Sequence, residues 1–290
     1  MSSAVFSTSA AQGRPFVFDS ENGGEVCPQP LQDELFGEPR PPQRVVSPDA
    51  FKDARLTGIT SASRLAVRPL PEMVSSGIAA IDQLTGGLPR GCLTEICGPA
   101  SSGRSTLMLS ALAAATQRGE FCAVVDASDA LDPQSVAATG IELDRLLWVR
   151  CGETSHSAEH RLEQLLRVTD LLLESGGFGL ITLDLGDLPL QTARRIPLAT
   201  WFRFRRAVEP TSTVLMAIER QSIAGSCSSL LIKLAALKLD TSENFSNDAP
   251  IHTQLLTNVE ITAELVRSRM EHKPARSAEI TFTSKTAWAG

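Results

Sequence analysis

The sequence contains no long apolar run: no stretch of 18 uncharged apolar residues occurs among its 290 residues. A transmembrane helix, which needs about 20 such residues, is therefore excluded. The first 13 residues contain no basic side chain and no apolar core, so we predict no secretory signal peptide. An excess of basic charge is also missing, since 33 acidic residues outnumber 27 basic ones and the formal net charge is −6. This balance excludes a uniformly basic nucleic-acid binder but leaves room for a local basic patch.

Cysteine pairs with the spacing of metal or redox sites are absent too. The six cysteines show no CxxC spacing, and most of them lie inside apolar runs. We predict buried free thiols in a reducing compartment, which indicates a cytoplasmic protein that does not contact a membrane. The cysteines are Cys27, Cys92, Cys97, Cys122, Cys151 and Cys227.

The composition divides the chain into four segments. Residues 1–50 contain seven of the 17 prolines. Such a segment buries too little apolar area to offset its conformational entropy, so we predict a disordered leader. We then predict a linker or N-terminal helix over 51–71, an α/β core over 72–245 and a C-terminal antiparallel hairpin over 246–290.

Within the predicted core, short apolar runs alternate with longer helical patterns. Continuous apolar strands that alternate with helices are typical of an α/β fold with a mostly parallel sheet covered on both faces. We predict strands at 92–97, 121–126, 146–150, 179–185 and 213–219, helices at 103–118, 158–175 and 190–208, and hairpin strands at 258–270 and 278–284.

A degenerate phosphate-binding loop follows the first of these strands and opens the first helix. Residues 98–106 read GPASSGRST, whereas the consensus is GxxxxGK[ST]. Glycines let the backbone wrap an anion, and the helix N-terminus adds partial positive charge. Arg104 replaces the consensus lysine, and a planar guanidinium cannot take the place of a compact ammonium without moving the phosphates.

Several motifs around this loop occur in one continuous order. They are SSGI at 75–78, GGLPRG at 86–91, FCAVVDA at 121–127 and ALDP at 130–133. Together with the loop they resemble the bacterial RecA family over about residues 72–240, and most closely the RecA-related ImuA proteins of translesion synthesis cassettes. The resemblance implies a RecA-like P-loop NTPase core in a bacterial cytoplasmic protein.

The hydrolytic position of that family is altered here. The family places a catalytic glutamate two residues after the aspartate that matches Asp126, and this chain has Ser128 there. A serine hydroxyl cannot act as a general base toward water at neutral pH. The resemblance therefore implies no catalytic residue and weak or absent ATP hydrolysis. The family's adenine-stacking tyrosine is Ser135, while Asp132 remains to contact the base.

The resemblance implies weak binding of ATP or ADP with magnesium, and no zinc. Ser105 and Asp184 would hold the magnesium, although Asp184 can also be read as a simple strand-end residue. Gln221 resembles the family's nucleotide-sensing glutamine. The predicted cofactor-binding set is Gly98, Ser101, Ser102, Gly103, Arg104, Ser105, Thr106, Asp132, Asp184 and Gln221.

An arginine cluster interleaved with aromatic residues predicts a contact surface. Arginines bind phosphates and aromatic rings stack on bases, so a single-stranded DNA platform is one interpretation. A partner-protein surface and an amphipathic helix with its aromatics packed inward are the others. The arginines are Arg194, Arg195, Arg203, Arg205 and Arg206, and the aromatics are Trp201, Phe202 and Phe204. The family's two DNA-binding loops would follow Asp184 and Gln221, and both look shortened.

Two short motifs remain. His156, Glu159 and His160 match an HxxEH zinc pattern, but they fall at the capped start of a predicted helix with no third ligand. Gln32, Leu35 and Phe36 fit QxxLF, the pentapeptide by which bacterial replication proteins bind the sliding clamp. An extended peptide could seat the Leu and Phe side chains in an apolar pocket.

The sequence thus predicts an accessory protein of DNA damage tolerance, in translesion synthesis and the SOS response, that acts by contacts rather than turnover. A recombinase, an error-prone polymerase or the sliding clamp would be its partner. Two alternatives stay open: an ATP-dependent recombinase that binds single-stranded DNA, and a scaffold that binds neither nucleotide nor DNA.

Overall fold

The computed structural model describes residues 70–151, 157–241, 256–270 and 278–285. The predicted leader and its QxxLF motif lie outside these residues. The strands are β1 (Met73–Val74), β2 (Leu88–Pro89), β3 (Cys92–Cys97), β4 (Cys122–Asp126), β5 (Leu146–Arg150), β6 (Leu180–Asp184), β7 (Val214–Glu219), β8 (Leu230–Thr241), β9 (Leu256–Ser268) and β10 (Ala278–Lys285). The helices are α1 (Ala79–Thr85), α2 (Arg104–Gln117), α3 (Pro133–Ala138), α4 (Ala158–Ser175), α5 (Leu190–Ala193) and α6 (Leu198–Val208).

One large sheet organises these elements. Its order is β10-β9-β8-β3-β7-β6-β4-β5, while β1 and β2 form a small separate pair. The six strands from β8 to β5 pair in parallel, and β9 and β10 continue the sheet in antiparallel fashion. The predicted α/β fold with a mostly parallel sheet is confirmed. The carboxyl ends of β3, β4, β6 and β7 therefore meet along one edge of the sheet.

The sheet is buried on both faces, which explains why its central strands read as continuous apolar runs. One hydrophobic cluster includes Leu107 and Leu112 of α2, and the cluster on the other side includes Leu165 of α4 and Trp201 and Phe204 of α6. Ser157 caps α4 by accepting a hydrogen bond from the backbone N–H of His160. Among the described helices, none is both long and apolar enough to cross a membrane.

The helix predicted over residues 190–208 is in fact two helices. The first, α5, ends at Ala193, and α6 begins at Leu198 with Pro197 as its N-cap. Proline disfavours helical geometry in the residue before it and cannot donate a backbone hydrogen bond. The prediction of one continuous helix was wrong at this point, because Pro197 fits the start of a helix but not its interior.

The C-terminal hairpin forms as predicted and also extends the main sheet. Its strands pair from Ala278 opposite Leu265 to Lys285 opposite Asn258. The long strand β8, which was not among the predicted strands, joins β9 to the parallel strand β3. The hairpin therefore continues the sheet and lies close to the loop that follows β3.

Of the described cysteines, Cys92, Cys97, Cys122, Cys151 and Cys227, all are free thiols. Four of them are buried and Cys92 is partly exposed. Burial raises the pKa of Cys122 to about 12. Burial also raises the pKa values of Cys97, Cys151 and Cys227, so these four buried thiols are poor nucleophiles at neutral pH.

Candidate functional site

The loop between β3 and α2 has the backbone geometry of an anion cradle. Gly98 has no space for a Cβ, which would overlap the carbonyl oxygen of Leu234 and the hydroxyl of Ser102. Ser101 and Gly103 adopt left-handed conformations, with φ of 59° and 91°. Gly103 is the N-cap of α2 and provides no side-chain cap. The first backbone N–H groups of this 14-residue helix are therefore available to a bound anion.

A cavity of about 290 Å³ opens onto this loop. Loop residues 101–106 form one wall, and Val259, Ile261 and Ser284 of the hairpin form the other. A Cβ on Gly103 would collide with the side chain of Ile261, so β9 fits closely against the loop. The hairpin thus helps to shape the cavity, a role that its sequence did not indicate.

Phosphate groups fit this cradle. The Ser102 hydroxyl is buried, being 1% exposed, and no hydrogen-bond partner for it is found among the described residues. A buried polar atom without a partner costs free energy, and a phosphate oxygen would satisfy it. Ser105 is exposed at the first turn of α2, and Thr106 is partly exposed beside it. Both of these predicted residues line the cavity.

Arg104 lines the cavity, and its guanidinium extends toward the end of β6. Its guanidinium Nη1 lies 3.5 Å from the carbonyl oxygen of Gly186, and the residue is only 8% exposed. Burial lowers the pKa of Arg104, while the nearby charge of Asp184 opposes this shift. The phosphate loop therefore directs its basic residue toward the carboxylate at the end of the neighbouring strand.

Ser128 and Asp184 meet where β4 and β6 end. Asp126 and Asp184 are register partners on these adjacent strands. The Ser128 hydroxyl lies 3.5 Å from Asp184 Oδ1 and accepts a hydrogen bond from the backbone N–H of Asp187 at 3.2 Å. Ser128 thus bridges two strand ends. Asp126 accepts backbone hydrogen bonds from Ser128 and Asp129, so it organises the turn after β4.

Neither Asp129 nor Asp132, the carboxylates that follow Ser128 in the chain, takes over its position. Asp129 forms a two-point ion pair with Arg150, with distances of 2.6 and 2.8 Å. This hydrogen bonding to Arg150 lowers the pKa of Asp129, which makes it a weaker base. Asp132 caps α3 by accepting hydrogen bonds from the N–H and hydroxyl of Ser135, so its carboxylate is already in use.

Burial raises the pKa of Asp184 to about 6, mainly because the side chain is desolvated. The ionised carboxylate therefore destabilises the fold, and this cost is absent near pH 4, grows toward pH 6 and is complete above it. We expect Asp184→Asn to raise the free energy of unfolding by about 1–2 kcal/mol at pH 7.5, a value that allows for partial exposure to solvent. Thermal melting at pH 4 and pH 7.5 measures this. Equal stabilisation at both pH values would contradict it.

Arg220, the residue that follows β7, reaches the end of β6, and it lines a pocket with the predicted Gln221 and loop residues 98–100. Arg220 Nε donates to the carbonyl oxygen of Gly186 at 3.0 Å, and its guanidinium lies 3.9 Å from Asp187. Gln221 is exposed and accepts a hydrogen bond from Arg194 at 2.8 Å. A basic residue directly after a buried strand was the available signal for Arg220.

Three of the five predicted contact arginines have partners within the chain. Arg194 binds Gln221, Arg195 pairs with Glu159 at 3.2 Å, and Arg203 makes a two-point ion pair with Asp170. Arg205 is partly exposed and Arg206 is exposed. The described residues give no metal site for the HxxEH pattern: His160 contacts Gln164, and His156 lies outside them.

The aromatic residues of this cluster are mostly unavailable for base stacking. Trp201 and Phe204 are fully buried and pack edge to face with ring centroids 6.1 Å apart. Only Phe202, which is 46% exposed, reaches solvent among the three. The prediction of an interleaved stacking platform was wrong for Trp201 and Phe204, because their spacing places them on the face of α6 that packs against the sheet.

The connections after β6 and β7 are short and ordered. Residues 185–189 lead from β6 to α5, and residues 220–229 lead from β7 to β8. The second connection is anchored by the fully buried Glu95 of β3, which accepts backbone hydrogen bonds from Ile223 and Ala224 at 2.9 and 2.8 Å. Glu95 also accepts hydrogen bonds from the hydroxyls of Ser222 and Ser228. Both connections therefore lack the length of a mobile loop.

Comparisons with known proteins find similar sequences for part of the chain. Residues 59–187 match the RecA N-terminal domain family. Protein RecA of Ectopseudomonas oleovorans is 42% identical over 115 residues, which cover 39% of this chain and 31% of that protein. Protein RecA of Salinispora tropica is 40% identical over 131 residues, which cover 44% of this chain and 35% of that protein. The matched segment thus spans about a third of the curated relatives.

The fold comparison covers more of the chain. The crystal structure of the RadB recombinase superposes with a TM-score of 0.52 and 17% sequence identity, over 72% of this chain and 95% of that one. At this identity the likeness concerns the fold. Taken with the sequence matches, it shows that the described part of the chain has a RecA-like fold.

Proposed function

We propose that the protein is an accessory of DNA damage tolerance in translesion synthesis, and that it binds nucleotide without hydrolysing it. One observation carries this proposal: the backbone of the phosphate cradle is formed, while Ser128 stands where the resemblance expects the catalytic glutamate and the adjacent Asp129 is paired with Arg150. The Ser128 hydroxyl forms hydrogen bonds that join the end of β4 to the end of β6. Nucleotide would then stabilise a conformation, and the protein would act through contacts with a recombinase, an error-prone polymerase or the sliding clamp.

An ATP-dependent recombinase is the first alternative. The short connections at 185–189 and 220–229 argue against it, since Glu95 anchors the second of them. A scaffold that binds neither nucleotide nor DNA is the second alternative, and the unpartnered Ser102 hydroxyl argues against that. Equilibrium binding of ADP and ATP, with and without single-stranded DNA, tests the proposal. Failure of both nucleotides to bind would overturn it in favour of the scaffold.

The proposed binding of single-stranded DNA rests on Arg205 and Arg206 of α6, whereas Arg195 and Arg203 already pair with Glu159 and Asp170. Replacing Arg205 and Arg206 with alanine should weaken DNA binding roughly tenfold. It should also reduce the slope of log K against the logarithm of the salt concentration by about one to two. Arg195→Ala/Arg203→Ala is the matched control, because the two carboxylates neutralise these residues. Fluorescence anisotropy over a salt series measures both effects. An unchanged affinity after alanine replacement of all five arginines would exclude this surface.

The proposed clamp contact involves Gln32, Leu35 and Phe36, which lie outside the described residues. Burying Leu and Phe side chains contributes about 1.5–3 kcal/mol each, so Leu35→Ala/Phe36→Ala should abolish binding of the full-length protein to a bacterial sliding clamp. The melting temperature of the protein should stay unchanged. Surface plasmon resonance tests this, and equal binding by both proteins would mark the motif as a chance match.

A further inference from the structure

Two arginines converge on one carbonyl oxygen beside the phosphate loop. Arg104 is the first residue of α2, and its Nη1 lies 3.5 Å from the carbonyl oxygen of Gly186. Arg220 follows β7, and its Nε donates to the same oxygen at 3.0 Å. The end of β6 therefore holds two guanidinium groups in fixed positions, one from each neighbouring element.

Asp184, the carboxylate predicted to hold magnesium, lies at the same point. Its Oδ1 accepts a hydrogen bond from the backbone N–H of Gly186 at 2.8 Å. A Cβ placed on Gly186 would lie 3.0 Å from Asp184 Oδ1 and 3.3 Å from Arg104 Nη1. The carboxylate of Asp184 and the guanidinium of Arg104 thus border the same small space. The positive charge next to Asp184 is therefore that of an arginine side chain.

A magnesium ion does not fit this arrangement. Mg²⁺ requires near-octahedral oxygen ligands and usually keeps several waters, whereas the carboxylates of Asp184 and Asp187 here stand beside the guanidinium groups of Arg104 and Arg220, which already neutralise them. The residues fit a phosphate group, by contrast, because guanidinium donors match phosphate oxygens in geometry and charge.

We propose that this site binds the phosphates of a nucleoside diphosphate or triphosphate without a divalent cation, and that Arg104 and Arg220 supply the positive charge. A guanidinium has five N–H donors, and the contact with Gly186 uses one donor of each arginine. The inference rests on the proposed function in one respect, since it requires nucleotide to bind at this loop.

The test compares nucleotide affinity with and without magnesium. Full-length protein is titrated with ADP and with ATP by isothermal calorimetry, in excess Mg²⁺ and in excess EDTA. We expect the two affinities to agree within about threefold. An affinity at least tenfold higher in Mg²⁺ would overturn the inference and leave nucleotide binding intact. No binding in either buffer would overturn both the inference and the proposed nucleotide binding.

Variants identify the charges involved. Arg220→Gln should weaken binding in EDTA roughly tenfold, because one charge-assisted hydrogen bond to the phosphates is lost. Arg104→Lys removes the planar guanidinium from the side of Asp184 and should make binding stronger in Mg²⁺ than in EDTA. Arg167→Gln, on the exposed face of α4, is the matched control. Thermal melting of each variant confirms folding. Wild-type affinity of Arg220→Gln in EDTA would overturn the role of Arg220.

Discussion

Purified protein should release phosphate from ATP no faster than a protein-free control. The Ser128 hydroxyl cannot take a proton from water at neutral pH, and removing a general base costs about 10²–10⁴-fold in rate, or roughly 3–5 kcal/mol of barrier. Asp129 cannot replace it, because Arg150 holds its carboxylate. A steady-state phosphate-release assay, with and without single-stranded DNA, measures the rate.

The paired variants make this prediction specific. Asp184→Ala should leave the background rate unchanged, whereas Arg104→Lys/Ser128→Glu restores a compact ammonium and a carboxylate beside the phosphate cradle. Any gain of turnover in that double variant would identify these two positions as the altered ones. Steady ATP turnover by the wild-type protein that Asp184→Ala abolishes would contradict the prediction and favour the recombinase alternative.

Replacing Glu95 with alanine should cause a large loss of stability, greater in size than the gain expected from Asp184→Asn. The change leaves the backbone N–H of Ala224 without its acceptor, and it removes the shorter of two contacts from the Ile223 N–H and the Ser228 hydroxyl. A buried donor without a partner costs about 1–3 kcal/mol. Glu219, whose pKa is raised well above its usual range by burial and by the charge of Glu95, still accepts from Ile223, and Gly225 still accepts from Ser228, which limits the loss.

We therefore expect Glu95→Ala to lower the free energy of unfolding by about 2–3 kcal/mol and the melting temperature by roughly 6 °C. Glu163→Ala, at an exposed position of α4, is the matched control and should melt like the wild type. Glu95→Gln keeps an acceptor oxygen, so its melting temperature should lie between those of Glu95→Ala and Glu163→Ala. Differential scanning calorimetry measures all three, and a melting temperature for Glu95→Ala within about 2 °C of the control would refute the anchoring role.

The regular elements of the core could be predicted from local sequence. The predicted strands 92–97 and 146–150 and the predicted helix 158–175 coincide with β3, β5 and α4. Buried parallel strands read as continuous apolar runs, and α4 combines helical periodicity with a serine cap. The phosphate loop is recognisable in the same way, because its glycines and its place between strand and helix are local features.

The rest depends on contacts between residues far apart in sequence. The position of strand β8 in the sheet is set by its pairing with β3 and β9, and the sequence of β8 does not specify those partners. The ion pair of Arg203 with Asp170 joins α6 to α4, and that of Arg195 with Glu159 joins the connection between α5 and α6 to α4. Local charge patterns could suggest an open basic face, but they could not reveal that these two arginines are already neutralised.

The orientation of the Arg104 side chain could not be predicted from the sequence either. Its replacement of lysine was visible, but its contact with Gly186 requires the end of β6 to lie beside the loop. The contact of Arg220 with Gly186 was not predicted either, because it requires the ends of β6 and β7 to lie side by side.

The close fit of Ile261 against Gly103 has a consequence for biosynthesis. As the chain leaves the ribosome, β3 and the phosphate loop emerge early, whereas β9, which completes the wall of the cavity, emerges much later. Long-range strand pairings of this kind form slowly, because the loop-closure entropy must be lost before the pairing stabilises the fold. A nascent chain therefore exposes the loop in an unfinished form until β9 and β10 have been translated.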